Sequence, residues 1–139
     1  QKAQELGMTQ TQFANPHGLD EKEDIHYSTA SDIVLLTQEL YFEYPEIWDL
    51  LMVPETQIYA KNGREVRVGN TNQLLDDLPG MLGAKTGLTE KALETFAAVV
   101  EIQGREVCIV VLGSDLGGYR FRDTEKLRDW IDTHYKAEL

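Results

Sequence analysis

The sequence predicts an α+β fold in which an antiparallel sheet is flanked by helices, and three observations carry that expectation. Two apolar runs, residues 96–100 and 107–112, are joined through Gln103-Gly104-Arg105, the length of a tight hairpin turn. Both runs are too continuous for a sheet with one wet face, so both faces should be covered. Residues 120–135 offer one cover, because Phe121, Leu127, Trp130 and Ile131 recur at helical spacing.

The other elements follow in order. Residues 1–8 read as the last turns of a helix with Gly7 just past its end. No capping or entry signal precedes them, which suggests a chain cut from something longer. Residues 9–27 read as a long loop, with turn chemistry at Asn15-Pro16-His17-Gly18 and a mostly charged stretch after it. Ser28-Thr29-Ala30-Ser31-Asp32 opens a helix whose apolar positions are Ile33, Val34, Leu36 and Leu40, ending near Tyr41. Pro45 starts a second, short helix to Leu51, and Pro54 closes it. Residues 56–59 and 66–68 flank Lys61-Asn62-Gly63-Arg64, a hairpin signal because Asn-Gly tolerates positive φ. A polar connection spans residues 70–79. Strands are expected over residues 81–86, 94–103 and 106–112. The division is thus residues 1–79, helices, loop and hairpin, and residues 80–139, three sheet strands and a closing helix.

At 139 residues the chain suits one domain with one core. Hydrophobic residues make up 42% and charged residues 27%, the usual balance of a globular protein. With 13 basic against 24 acidic residues, the formal charge is −11. That charge repels phosphate, so nucleic acid is not an expected partner, and no polybasic membrane anchor is present. No apolar run reaches the ~20 residues of a membrane helix. Cys108 lies in an apolar run and reads as a core thiol; one cysteine fixes no redox compartment. Trp48 and Trp130 read as core or groove-filling residues, and His134 sits where a helix C-terminus favours it.

The chemistry centres on Lys85-Thr86-Gly87. In a strand, Lys85 and Gly87 point to one face and Thr86 to the other. Glycine in a strand marks close approach of a ligand or another backbone, and an ammonium with a hydroxyl beside it suits a carboxylate and a peptide carbonyl. Three residues alone fit equally well with a strand end running into a turn. His17-x-x-Asp20, with His26, could be read as a metal site in the loop, but His26 does not stand at a sensible spacing for a third ligand. A loop histidine that bonds backbone, or helps to shape a cleft, fits as well.

Four blocks in order change the weighting: Asn15-Pro16-His17-Gly18-Leu19-Asp20, His26-Tyr27-Ser28-Thr29-Ala30-x-Asp32, Asn70-Thr71-Asn72-x-Leu74-Leu75, and Gly83-x-Lys85-Thr86-Gly87-x-Thr89. Together they resemble the low-molecular-mass penicillin-binding proteins, the serine-type D-alanyl-D-alanine carboxypeptidases of peptidase family S11, over residues 1 to about 135. The resemblance implies the C-terminal portion of a β-lactamase/transpeptidase-like domain, located outside the cytoplasm and needing no cofactor or metal. It implies trimming of the terminal D-alanine from peptidoglycan stem peptides ending in D-Ala-D-Ala through an acyl-enzyme, with β-lactams as inhibitors. By the same resemblance Lys85 and Thr86 bind the substrate carboxylate, Thr89 supports them, and Gly87 lets the peptide lie along the strand. The Leu88 backbone N–H becomes an oxyanion donor. Family members can carry histidine at Leu88, so side-chain contacts there differ. His17 and Asp20 would lie near the cleft.

The family's nucleophile motifs, Ser-x-x-Lys and Ser-x-Asn, are not in this chain: Ser28, Ser31 and Ser114 have neither Lys three residues on nor Asn two residues on. The chain alone is therefore expected to be inactive, and either to self-associate or swap strands, or to need the N-terminal part of the same domain. Other readings remain: a non-catalytic muropeptide-binding module, a β-lactamase-like hydrolase fragment, or an unrelated α/β domain with a chance Lys-Thr-Gly.

Overall fold

A computed structural model describes residues 1–20 and 25–135; part of the charged loop stretch, residues 21–24, lies outside the described residues. Helix α1 is a single turn, Lys2–Glu5, and Gly7 past its end takes φ +76, the left-handed stop the sequence announces. The loop that follows is pinned at both ends. Gln12 and Tyr27 form an isolated antiparallel bridge. Buried Asp32 accepts from the Gln10 amide at 2.8 Å and the Thr11 hydroxyl at 2.7 Å.

Helix α2, Ala30–Glu43, is capped by Thr29, whose side chain accepts from the Asp32 amide. Its buried positions are Asp32 and Thr37, whereas the expected apolar stripe is only half buried. Proline-initiated α3, Pro45–Trp48, runs into a 3-10 turn, Asp49–Met52. Strands β1, Glu55–Tyr59, and β2, Glu65–Gly69, make the expected hairpin. There Gly63 alone takes positive φ, and its amide bonds the Ala60 carbonyl at 2.8 Å.

Strands β3, Met81–Thr89, β4, Leu93–Ile102, and β5, Arg105–Ser114, form an antiparallel meander in the order β3-β4-β5. Both Gln103 (φ 52) and Gly104 (φ 74) are left-handed, the turn geometry that matches strand twist. On one face Ala84, Phe96, Ala98, Val100, Ile109 and Val111 pack against Phe121 of α4, Tyr119–His134. Phe96 and Phe121 meet edge to face, with centroids 5.3 Å apart. Leu74 and Leu78 join this core, so the connection expected to be polar contributes buried leucines.

Helix α2 covers the opposite face of β5. Tyr41 donates to Glu106 at 2.7 Å, which pushes its phenol up to about 12. Cys108 is half buried against Thr37 on this side rather than in the main core, and burial pushes its thiol up. Trp130 is also not a core residue. It is 58% exposed and stacks on His134, because the inward stripe of α4 runs through Phe121, Thr124 and Ile131, a quarter to half a turn away.

Candidate functional site

The outer edge of β3 is unpaired among the described residues, and the site is built along it. A register shift between Met81 and Gly83 bends the strand at its start. Here the indole of Trp48, 4% exposed, donates to the Leu82 carbonyl at 2.8 Å. Gly83 has φ +145, and a Cβ there would lie 2.3 Å from the indole nitrogen. No residue with a side chain fits, so this glycine is dictated by the tryptophan that braces the strand.

Lys85 is exposed, and its ammonium donates to the Thr86 carbonyl. The Thr86 hydroxyl lies 2.5 Å from that of Thr71. Thr71 is held there by its neighbours: the Asn70 amide donates to the Leu51 and Val53 carbonyls, at 2.9 and 3.1 Å. The side-chain oxygens of Asn70 and Asn72 accept from backbone amides two residues on. The Asn-Thr-Asn block is thus a rigid platform carrying one hydroxyl to β3.

Gly87 faces Thr95 across the β3–β4 ladder, and a Cβ there would come within 2.4 Å of the Thr95 hydroxyl. A side chain at position 87 would have to displace the Thr95 hydroxyl. Leu88 is 57% exposed beside it. Thr89 accepts from the Ala92 amide at 3.0 Å, closing a hairpin tip in which Leu93 takes φ 57, an uncommon angle for a branched residue.

Asp20 reaches this tip and accepts from the Lys91 amide at 3.1 Å. That bond, with help from the Thr89 hydroxyl, holds its carboxyl below the usual carboxylate range. The loop carrying His17 is thereby fastened to the far end of β3, while the His17 Nδ1 accepts from the Leu19 amide at 3.2 Å. His26 bonds backbone in the same manner, its Nδ1 accepting from Ala14 at 3.3 Å.

Sequence reasoning missed two contributors. Thr71 sat in a recognised block, but only the fold brings it to Thr86. Arg120, at the start of α4, donates from Nη1 to the Gly87 carbonyl at 2.9 Å, and its Nε is buried with no partner among the described residues. Nothing in the sequence around Arg120 marks it, since its partner lies 33 residues away. Chemically, the edge offers ammonium and hydroxyl groups to an anion, and backbone groups to an extended peptide.

The fold that carries this edge is that of the penicillin-binding proteins. A penicillin-binding protein D2 of Listeria monocytogenes, solved in its cefotaxime-bound form, is 33% identical over 92% of this chain and 51% of its own, with a TM-score of 0.79. A D-alanyl-D-alanine carboxypeptidase of Mycobacterium tuberculosis, 30% identical, matches 93% of this chain and 49% of its own at a TM-score of 0.80. Among curated sequences, the D-alanyl-D-alanine carboxypeptidase DacF of Bacillus subtilis is 31% identical over 136 residues, 98% of this chain and 34% of the relative. The pattern defining the D-alanyl-D-alanine carboxypeptidase family, peptidase S11, matches residues 1–116, and the chain belongs to that family. It spans about half the length of the solved relatives and about a third of the curated one.

Proposed function

We propose that these residues form the substrate-binding half of a serine D-Ala-D-Ala carboxypeptidase acting on peptidoglycan stem peptides outside the cytoplasm. In the complete enzyme a serine hydroxyl attacks the carbonyl of the penultimate D-alanine, and the C–N bond breaks. The departing D-alanine amine takes a proton, and water then hydrolyses the ester. Lys85 and Thr86 hold the terminal carboxylate by charge-assisted hydrogen bonds. The peptide lies along the outer edge of β3, and the Leu88 N–H receives the developing oxyanion. Thr89 acts at one remove, holding the hairpin tip and Asp20, and the same edge accepts β-lactams. The serine is supplied by the N-terminal part of the domain, in the same chain or in another.

The observation that carries this reading is the Lys85-Thr86 edge with the Thr71 hydroxyl seated on Thr86. The test is release of D-alanine from an N-acylated D-Ala-D-Ala peptide by the full-length enzyme. Lys85→Ala should lower kcat/KM by about 10²-fold or more, as expected when a charge-assisted anchor and local positive charge are lost together. Tight binding of the same peptide without release would instead favour a muropeptide-binding module.

A further inference from the structure

We propose that Glu94 is a positioning residue for the oxyanion donor: it fixes the start of α4, which carries Arg120 to the Gly87 carbonyl, and that carbonyl sets the direction of the Leu88 N–H. The inference rests on the carboxypeptidase reading above. Glu94 is 5% exposed in β4. Its Oε1 accepts from the amides of Gly117 at 3.1 Å and Gly118 at 2.9 Å, and its Oε2 from the Arg120 amide at 3.4 Å. A helix leaves its first amides without partners, and α4 has no side-chain cap of its own, since Gly118 is its N-cap. The neighbouring strand supplies the cap instead.

Arg120 departs from this first turn and donates to Gly87 through Nη1, with its guanidinium 4.8 Å from the ring of buried Phe121. The ring and the capped helix start leave it little room to swing. The carbonyl it holds belongs to the same planar peptide unit as the Leu88 N–H, and in a trans peptide the two point in opposite directions. Holding the carbonyl toward α4 therefore turns the N–H toward the opposite edge. That is the edge on which the Thr86 carbonyl receives the Lys85 ammonium, since alternate residues of a strand direct their backbone groups to the same side. A cation on the carbonyl also polarises the peptide unit and makes its N–H a stronger donor.

The test uses Glu94→Ala and Arg120→Gln in the full-length enzyme, with active sites counted by penicillin titration. Both should lower kcat and the β-lactam acylation rate by about 10- to 100-fold, less than the ~10²- to 10³-fold of losing a donor outright. KM for the D-Ala-D-Ala peptide should stay within about threefold, and the double variant should be no worse than the weaker single one. The Leu88 amide should also shift in the 15N–1H spectrum and exchange faster. If Glu94→Ala does not fold, Arg120→Gln, which leaves the α4 cap in place, tests the last link. A raised KM with unchanged kcat, or an unmoved Leu88 amide, would overturn the proposal. An unmutated enzyme that releases no D-alanine would overturn the carboxypeptidase reading instead, and the Leu88 amide would still decide the brace.

Discussion

The hydroxyls of Thr71 and Thr86 are 2.5 Å apart, although the first belongs to a turn platform and the second to β3. A hydroxyl has one proton and two acceptor sites. If Thr71 donates to Thr86, the Thr86 proton is left to face outward, toward a carboxylate.

The Thr71→Val variant keeps the shape and removes the donor. In the full-length enzyme we expect KM for the D-Ala-D-Ala peptide to rise several-fold. The exposed pair is worth no more than about 1 kcal/mol of stability, so melting should move little. An unchanged KM would show that Thr86 orients itself.

Gly83 tests the brace at the other end of the strand. Alanine there meets both an unfavourable φ and the Trp48 indole at 2.3 Å. Gly83→Ala should destabilise by on the order of 2–4 kcal/mol, from overpacking and backbone strain together. Trp48→Phe, which loses the 2.8 Å bond to Leu82, should cost less, about 1–3 kcal/mol. The pair should be non-additive, with Trp48→Ala partly rescuing Gly83→Ala in urea titrations.

Acid should loosen this half of the sheet. The Gly118, Arg120 and Gly117 amides hold the Glu94 carboxyl below its ordinary 4.5, and the Lys91 amide and Ser114 hydroxyl hold Asp20 and Asp123 below 3.8. A depressed carboxylate contributes stability above its unfolded value and loses it as pH falls through the folded one. Urea midpoints should be level down to about pH 5 and fall below about pH 4.5, with a shallower fall in Glu94→Gln. A level profile to about pH 3 would contradict the hydrogen bonds drawn for these carboxylates.

The 139-residue chain by itself should not react with a fluorescent penicillin, because none of its three serines has the family's lysine or asparagine spacing. Along the outer side of β5, Leu112 is 40% and Leu127 of α4 is 41% exposed. An unpaired strand edge beside apolar side chains favours pairing with another strand. Light scattering should show self-association that rises with concentration and disappears when the N-terminal part of the domain is supplied. Stoichiometric labelling, or a monomer throughout, would contradict these two expectations.

The meander was legible because its signals are local. Continuous apolar runs, the Gln103-Gly104 turn and Pro45 at a helix start act within a few residues, and each strand came out within three residues of its expected ends. Lys85-Thr86-Gly87 stood out only together with the three blocks before it; taken alone it fitted a strand end, whereas β3 runs on through it to Thr89. The misses have a different origin. Trp130 sits at helical spacing with apolar neighbours, but spacing cannot say which stripe of α4 faces Phe96. Leu74 and Leu78 hid among aspartates, because a turn-rich connection can bury side chains singly without any period. Arg120 and Thr71 owe their place to partners on other elements, and one sequence carries no sign of such pairing.

The contacts that shape the site span long stretches of chain: 33 residues for Arg120 to Gly87, 34 for Trp48 to Leu82, and 71 for Asp20 to Lys91. The β3–β4 and β4–β5 hairpins close over a handful of residues. Chain-closure entropy therefore favours a particular order, with the meander assembling first and the binding edge acquiring its geometry last. In refolding followed by pulsed hydrogen exchange, the amides of β4 should gain protection before those of Leu88 and Lys91. A half-folded chain would then hold a sheet without a binding edge, so capture of an antibiotic would report on complete folding as well as on chemistry.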